Sequence, residues 1–379
     1  MNIKDASKPW RLLREHAVSA GYGLAVDEYF TGVYAQEAVE SGATLRLYTY
    51  RDHCALVGRF QNIHAELDLE ACQREEVQVG RRLTGGGAII MGQDQLGICL
   101  CSHSNRFEWK TIRDLCALLS IPVVNALREL GIEATFRSKN DLEVNGKKIA
   151  GVGVYVDPKG AFHFHTSLLV DLDIPQMLQV LQIPIQKFAD KQKVRSVEQR
   201  ITTLSRELGR KVPLEEVRTL IAQHYQSWFG VELEEQAVRP DEQQHIRQIE
   251  QERYQQEDWL FQRSPQADMS GMSLKKTAAG LLRTYIGLKG ETIKSVLITG
   301  DFLEDTDLFG QIEAKLKWSP LDRDAIEQVV LSTYSTTDRS GLLIEPKDLI
   351  DAIWMAAQRA HAATRYTYQG TCYYPEQKK

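Results

Sequence analysis

Arg81-Arg82-Leu83-Thr84-Gly85-Gly86-Gly87-Ala88 sets two arginines just before a triple glycine, and the apolar pair Ile89-Ile90 follows. Glycine lacks a Cβ, so such a run can take positive φ and bring bare main chain close to a ligand. Arginine adds a permanent charge whose fork geometry suits phosphate or carboxylate. The combination suits an anion held against backbone; an arginine-flanked hairpin turn is the alternative reading. The stretch is neither of two familiar phosphate loops. No Gly-Lys-Ser/Thr follows at Walker spacing, and the Gly-x-Gly-x-x-Gly order of a dinucleotide loop is missing from it.

A second group of reactive residue types lies between Thr135 and Val170. The polar pair Asn140-Asp141 leads into Leu142-Glu143-Val144, and Asn145-Gly146 is a strong hairpin-turn signal. The returning strand carries Lys147 and Lys148, which as neighbours must face opposite sides of a sheet, then Gly151 and Gly153. After a turn at Asp157-Pro158-Lys159-Gly160 the chain returns as Ala161 to Val170. There His163 and His165 share one strand face while Phe162 and Phe164 take the other. The two histidines read as a metal pair, as groups orienting a ligand, or as a solvated face; no third metal ligand is apparent in the sequence.

These residues need elements to hold them. The apolar spacing predicts a helix over 10–39, with Asp27 and Glu28 on a solvated face. Strands are expected at 44–50 and 54–60, a short helix at 65–76, and strands at 88–91 and 97–101. A long helix over 109–130 is closed by Gly131. Helices are also expected over 205–228, with Pro213 opening the second of a pair, and over the Glu/Gln-rich stretch 241–256. From Met269 the pattern changes to strands at 278–286 and 293–302, then helices at 306–317, 321–333 and 346–362. Strands followed by helices read as a separate small α+β domain.

Composition bounds the class. The 379 residues, 43% hydrophobic and 26% charged with a net charge of −5, describe a globular chain of more than one domain. The acidic balance argues against a nucleic-acid partner. No apolar run reaches membrane-spanning length and the N-terminus lacks a signal-peptide plan, so a cytoplasmic protein is expected. Cys54, Cys72, Cys99, Cys101, Cys116 and Cys372 form no Cys-x-x-Cys pair, and reduced, buried thiols are expected.

The order Arg-Arg-x-x-Gly-Gly-Gly-Ala, Asn-Asp, Lys-x-x-Gly and Phe-His-x-His-x-x-Leu-Leu resembles the lipoate-protein ligase family, grouped with biotin ligases and octanoyltransferases. Val57-Gly58-Arg59-Phe60-Gln61-Asn62 and Arg200-Ile201-Thr202-Thr203-Leu204 extend the likeness, which covers roughly residues 20–265. The resemblance implies an α+β protein: a mixed-sheet, biotin/lipoate-ligase-like catalytic domain over 1–265 and a small accessory C-terminal domain over 266–379. One departure stands out. Where the family has His-Asp-x-Gly-Asn after the apolar pair, this chain has Met91-Gly92-Gln93-Asp94-Gln95, with Asp94 or Gln95 as conceivable replacements.

The same resemblance implies the chemistry. An acid, lipoate or octanoate, is activated by ATP as an acyl adenylate and passed to a lysine of a carrier, a lipoyl domain or a glycine-cleavage-H-type protein. Lys148 is implied as the essential lysine. Arg81, Arg82, Thr84 and Gly85 to Gly87 are implied around the acyl adenylate, with Gly151, Gly153, His165 and Thr166 as further binding positions. Asn140 and Asp141 are implied beside the phosphates, with Asp141 on Mg2+. A monomer without membrane attachment is expected. The alternatives are an octanoyl or lipoyl transferase between carriers, for which Cys72, Cys99, Cys101 and Cys116 come into question, and a non-catalytic binding module on the same fold.

Overall fold

The computed structural model describes residues 8–36, 42–137, 140–182, 198–302, 308–336 and 344–365; Cys372 and the aromatic tail after Arg365 lie outside them. The chain forms two compact units, Met1–Arg59 with Ile63–Gln262, and Phe60–Asn62 with Arg263–Lys379. The three-residue excursion at Phe60 has no counterpart in the sequence expectation.

In the first unit, strand β1 (Trp10–Val18) precedes helix α1 (Ala20–Tyr34), where one helix over 10–39 was expected. Trp10, Arg11, Leu12 and Leu13 are all buried, so β1 is covered on both faces and shows no alternation to separate it from a helix. Ser19 marks the break, its side chain accepting from the Tyr22 amide as the helix N-cap. Strand β1 lies parallel to β2 (Thr44–Tyr50).

Two short strands, β3 (Cys54–Val57) and β4 (Gln78–Arg81), pair in parallel, and β5 (Ile89–Met91) runs antiparallel on the other side of β3. The arginine–glycine stretch therefore bridges the two outer strands of a three-stranded sheet, crossing the end of the middle one.

The main sheet adds β6 (Gln95–His103), β7 (Thr135–Arg137), β8 (Asp141–Val144), β9 (Lys147–Val156), β10 (Ala161–Leu169) and β11 (Leu233–Glu235). Its eight strands run β11-β1-β2-β6-β10-β9-β8-β7, mixed parallel and antiparallel. Asn145 (φ 50°) and Gly146 (φ 77°) make the β8–β9 turn, both in the left-handed region that an Asn-Gly hairpin turn uses.

Each face of this sheet has its own cover. Ile98 and Leu100 of β6 and Phe162 and Phe164 of β10 meet helices α2 (Ile112–Glu129) and α3 (Leu214–Phe229) in the largest core, through Leu115, Leu119, Ile221 and Tyr225. Helix α2 is fixed at its start by a Thr111–Asp114 capping box and followed by Gly131 at φ 85°. On the opposite face Tyr48, Cys99 and Cys101 pack under Leu24, Ala25 and Phe30 of α1. Helix α4 (Pro240–Ile249) is joined to β1 by the buried Arg11–Glu242 fork, at 2.6 and 2.8 Å.

The second unit is a four-stranded antiparallel sheet, β12 (Gly271–Lys276), β13 (Leu281–Lys289), β14 (Thr292–Gly300) and β15 (Ser319–Pro320). Helices α5 (Leu308–Leu316), α6 (Arg323–Thr336) and α7 (Pro346–Arg365) belong to it. Leu282, Ile286 and Ile298 pack with Ile312, Val330 and Ile353, and Phe60 joins this core. Strand β12 escapes the sequence reading because its pattern is inverted. Its apolar Met272 and Leu274 are exposed, while Gly271 and Ser273 face inward. A Cβ on Gly271 would lie 2.1 Å from the Ala356 carbonyl, so only glycine lets α7 come this close.

Candidate active site

The glycine loop, β9 and β10 line a cleft that is partly open to solvent. One wall is Arg82, Thr84 and Gly85 to Ile89; the other is Asn140, Lys148, Gly151 to Gly153, His165 and Ser167. Stretches some sixty residues apart in sequence thus meet around one space.

The loop is shaped from within. Arg82 is buried, and its guanidinium donates to the carbonyls of Leu56 (2.5 Å), Gly85 (3.3 Å) and Gly87 (2.9 Å). Among the described residues no carboxylate pairs with it, and burial lowers its pKa to about 10, so it remains a cation at neutral pH. Only Gly86 of the triple glycine has positive φ, 92°. Its carbonyl lies 2.1 Å from where a Cβ on Gly58 would stand, so Gly58 is the residue that admits the loop.

Lys148 reaches the cleft through a β-bulge. Asp141 pairs with Gly151 and Leu142 with Ala150, but Glu143 pairs with Lys148, leaving Ile149 as an extra residue on β9. Ile149 and Ala150 both enter the main core, which turns Lys148 onto the face of Gly151 and Gly153. There its Nζ forms an ion pair with Asp141 Oδ1 at 2.7 Å. The main chain of the bulge is held from outside by 200–202: the Lys148 amide donates to the Arg200 carbonyl (2.7 Å), and the Thr202 amide donates to the Lys148 carbonyl (2.8 Å). The absent side chains of Gly151 and Gly153 make the floor. A Cβ at Gly151 would stand 3.2 Å from Lys148 Nζ, and one at Gly153 would stand 3.3 Å from Thr84.

Deeper in, a small chamber is lined by Leu24, Asp27, Tyr50, Arg82, His163, His165 and Tyr254, among others. Arg82, Thr84 and His165 border both spaces. His163 Nδ1 lies 2.9 Å from Thr31 Oγ1 and His165 Nε2 lies 2.8 Å from Tyr48 Oη. Burial lowers both histidine pKa values to about 4, against a smaller opposing pull from Asp27, so both rings are neutral at physiological pH. Arg46, held by Asp27 at 2.8 Å and by Glu15, covers the Tyr48 ring at 3.8 Å.

Several expected residues stand elsewhere. Arg81 is fully buried and outside the cleft lining; its guanidinium donates to the carbonyls of Gly58 (2.9 Å), Arg59 (3.0 Å), Trp259 (3.1 Å) and Leu260 (2.8 Å). The Trp259 indole returns a bond to the Arg81 carbonyl at 3.0 Å. Thr166 lies on the core face with Phe164 and Leu168, because it is one residue from His165 on a regular strand. Ser167 takes the cleft position instead, and the alternation from His163 and His165 was the signal that pointed to it. Met91 to Gln95 form the β5–β6 connection and stay outside the lining, and the Gln95 amide donates to the Asp171 carbonyl at 2.7 Å. Cys54, Cys72, Cys99, Cys101 and Cys116 are all buried, and none lines the cleft. Burial pushes the Cys54, Cys72 and Cys99 thiols up, and that of Cys116 to about 12.

Among the described residues no cluster of three or more His, Cys, Asp or Glu is arranged to hold a metal ion. Asn140 lines the cleft, and the carboxylate of Asp141, next in sequence, borders it through the ion pair with Lys148. That donor set fits magnesium arriving on phosphate, which needs only one or two protein carboxylates. No helix among the described residues is long and apolar enough to cross a membrane.

Comparison with known proteins matches the same regions. A family model described as the lipoyl protein ligase A/B catalytic domain fits residues 19–226, and one described as the bacterial lipoate protein ligase C-terminus fits residues 269–353. Lipoate-protein ligase LplJ of Bacillus subtilis is 26% identical over 308 residues, covering 81% of this chain and 89% of that protein. Octanoyltransferase LipM of Oceanobacillus iheyensis is 26% identical over 261 residues, covering 65% of this chain and 94% of that protein. Among solved structures, the bi-partite lipoate protein ligase of Thermoplasma acidophilum, described together with its E2 lipoyl domain, superposes with a TM-score of 0.59 at 26% identity. That match covers 67% of this chain and 96% of the other.

Proposed function

Since the chain belongs to the lipoyl protein ligase A/B family, we propose that it is an ATP-dependent lipoate-protein ligase that activates lipoate, or octanoate, and transfers it to a lysine of a carrier protein. The observation that carries this is Arg82: a buried cation without a carboxylate partner among the described residues, set against a glycine-lined cleft that also holds Lys148. A buried charge without a counter-ion is costly, and an anionic ligand supplies one.

In the proposed reaction an acid carboxylate oxygen attacks the α-phosphorus of MgATP, and pyrophosphate leaves with the electrons of the broken P–O bond. Asp141 and Asn140 are the residues that would hold magnesium arriving with the nucleotide, which would supply charge screening of the phosphates. Two anions must approach each other in this step, and Arg82 and Lys148 lower that repulsion. The unprotonated amine of the acceptor lysine then attacks the acyl carbonyl and AMP departs. Lys148 offsets the negative charge that grows there. Adenylates hydrolyse readily, so a site walled by main chain and buried side chains protects the intermediate.

The acceptor is proposed to be a lipoyl domain or a glycine-cleavage-H-type protein, in line with the lipoyl domain described with the Thermoplasma ligase. The enzyme is proposed to act as a monomer in the cytoplasm. A second reading, acyl transfer between carriers, is favoured by the equal identity to octanoyltransferase LipM. Against it stand the match to the ligase C-terminus over residues 269–353, beyond the reach of a catalytic domain alone, and the absence of a thiol from the cleft lining among the described residues. Lipoate-dependent exchange of radiolabelled pyrophosphate into ATP tests the choice. Exchange supports the ligase; transfer of octanoate from a carrier without ATP supports the alternative.

A further inference from the structure

The cleft residue His165 is held from behind by a group that lies outside the cleft lining. Tyr48 is fully buried on β2, and its hydroxyl is 2.8 Å from His165 Nε2. Besides that nitrogen, the neighbouring Tyr50 hydroxyl also lies within reach of the Tyr48 hydroxyl. Of these two acceptors the imidazole lone pair is far more basic than a phenol oxygen, so the Tyr48 hydroxyl donates to Nε2. The guanidinium of Arg46, 3.8 Å over the phenol ring, draws on its π density and strengthens that donation. Arg46 is itself fixed by Asp27 and Glu15, so the stack is rigid.

A neutral imidazole that accepts at Nε2 carries its single proton on Nδ1. Nδ1 of His165 has no partner among the described residues, and the ring borders both the cleft and the inner chamber. We propose that Tyr48 is a positioning residue, which fixes His165 in the Nδ1–H form so that the ring offers the bound acid a hydrogen-bond donor instead of a repelling lone pair. The identity of the acceptor, an oxygen at the carboxyl end of the acid, rests on the proposed function; the tautomer does not.

The test uses the full chain labelled with 15N-histidine, its ring nitrogens read by long-range proton–nitrogen correlation, with His165 assigned by comparison with His165→Gln. The expected wild-type result is a protonated Nδ1 and a bare Nε2, with the Nδ1 resonance moving when free lipoate is added. Tyr48→Phe removes only the hydroxyl. It is expected to give a mixture of tautomers, to weaken lipoate binding about fivefold to tenfold, the range for one neutral hydrogen bond, and to raise KM for lipoate while kcat stays within about twofold. A protonated Nε2 in the wild type overturns the proposal without any variant. So does a Tyr48→Phe protein, folded by circular dichroism, with unchanged tautomer and unchanged lipoate affinity. A wild-type ring in the Nδ1–H form in a protein that binds no lipoate upholds the role of Tyr48 and counts against the acid as ligand.

Discussion

Lys148 and Gly151 share one face of β9 although three positions separate them, a spacing that on a regular strand would place them on opposite faces. The extra residue Ile149 reverses the alternation, and Lys148 Nζ comes to rest 3.2 Å from the place a Gly151 side chain would occupy. Without the bulge, Lys147 would share the face of Gly151 and Gly153, and Lys148 would turn toward the α2–α3 core. Bulges commonly re-aim side chains beside functional sites, and here the re-aimed group is a lysine beside Asp141.

The first prediction follows from that placement. Lys148→Ala removes a charge aimed at the proposed transition state and is expected to lower the rate of acyl transfer to a carrier by roughly 10²–10³, about 2.7–4 kcal/mol. Lys147→Ala is expected to change the rate little, as partly exposed charges away from a site usually do. The assay is lipoylation of an acceptor domain, with folding checked by circular dichroism. A dead Lys147 variant beside an active Lys148 variant would mean that the bulge, and the site built on it, is wrong.

How far the sequence discloses this site depends on which interactions are local. The Asn145-Gly146 turn and the alternation of β10 are set by neighbouring residues, and both are legible. The bulge is not. It depends on Ile149 and Ala150 both finding room in a core assembled from α2 and α3, far away in sequence. Strand β1 is hidden for a related reason: burial on both faces erases its period. Arg81 and Arg82 are adjacent and look equivalent, yet one turns to main-chain carbonyls contributed partly by Trp259 and Leu260 and the other to the glycine loop. Thr166 and Ser167 differ only by strand parity, and parity is available from the sequence once His163 and His165 are placed.

The second prediction separates two glycines. Gly58→Ala sets a methyl group 2.1 Å from the Gly86 carbonyl, so the loop must move, and binding of lipoyl adenylate is expected to fall at least tenfold. Gly87→Ala meets nothing within 4 Å, and its backbone is not in the left-handed region, so the fold should keep its melting temperature within a degree or two. Calorimetric titration with a non-hydrolysable adenylate analogue, alongside thermal melts, distinguishes the two. Equal affinity in the Gly58 variant would show that the loop does not need its present path.

The third prediction separates two arginines. Arg81→Ala strands the carbonyls of Gly58, Arg59, Trp259 and Leu260, and each buried carbonyl left unpaired costs about 1–3 kcal/mol with overlapping losses. A destabilisation of about 3–4 kcal/mol in urea unfolding is expected, and Arg81→Lys should recover only part of it because a single ammonium cannot span all four groups. Arg82→Lys keeps a charge at the cleft but loses the fork, and the expected defect is in ligand affinity. If Arg81→Lys matched the wild type in stability while failing to bind the adenylate, Arg81 would be a ligand group after all.

The last prediction concerns pH. His163 and His165 have folded-state pKa values lowered from 6.5 to about 4, chiefly by burial. The unfolded chain binds protons on these rings below about pH 6.5, whereas the folded protein resists them until about pH 4, so the unfolded state is favoured as pH falls through that window. Stability is therefore complete above about pH 6.5, declines toward pH 4 and is flat below it with respect to these two groups. Each ring accounts for about 3 kcal/mol at most across the window. Carboxylates also titrate near its lower end, so the comparison that isolates the histidines is a double variant, His163→Gln with His165→Gln, against the wild type. Urea unfolding followed by tryptophan fluorescence at pH 7.5 and pH 5 is expected to show a smaller loss of stability on acidification in the double variant. An equal loss in both proteins would mean that these rings are protonated in the folded state as readily as in the unfolded chain, and that the chamber under α1 is wetter than its buried side chains indicate.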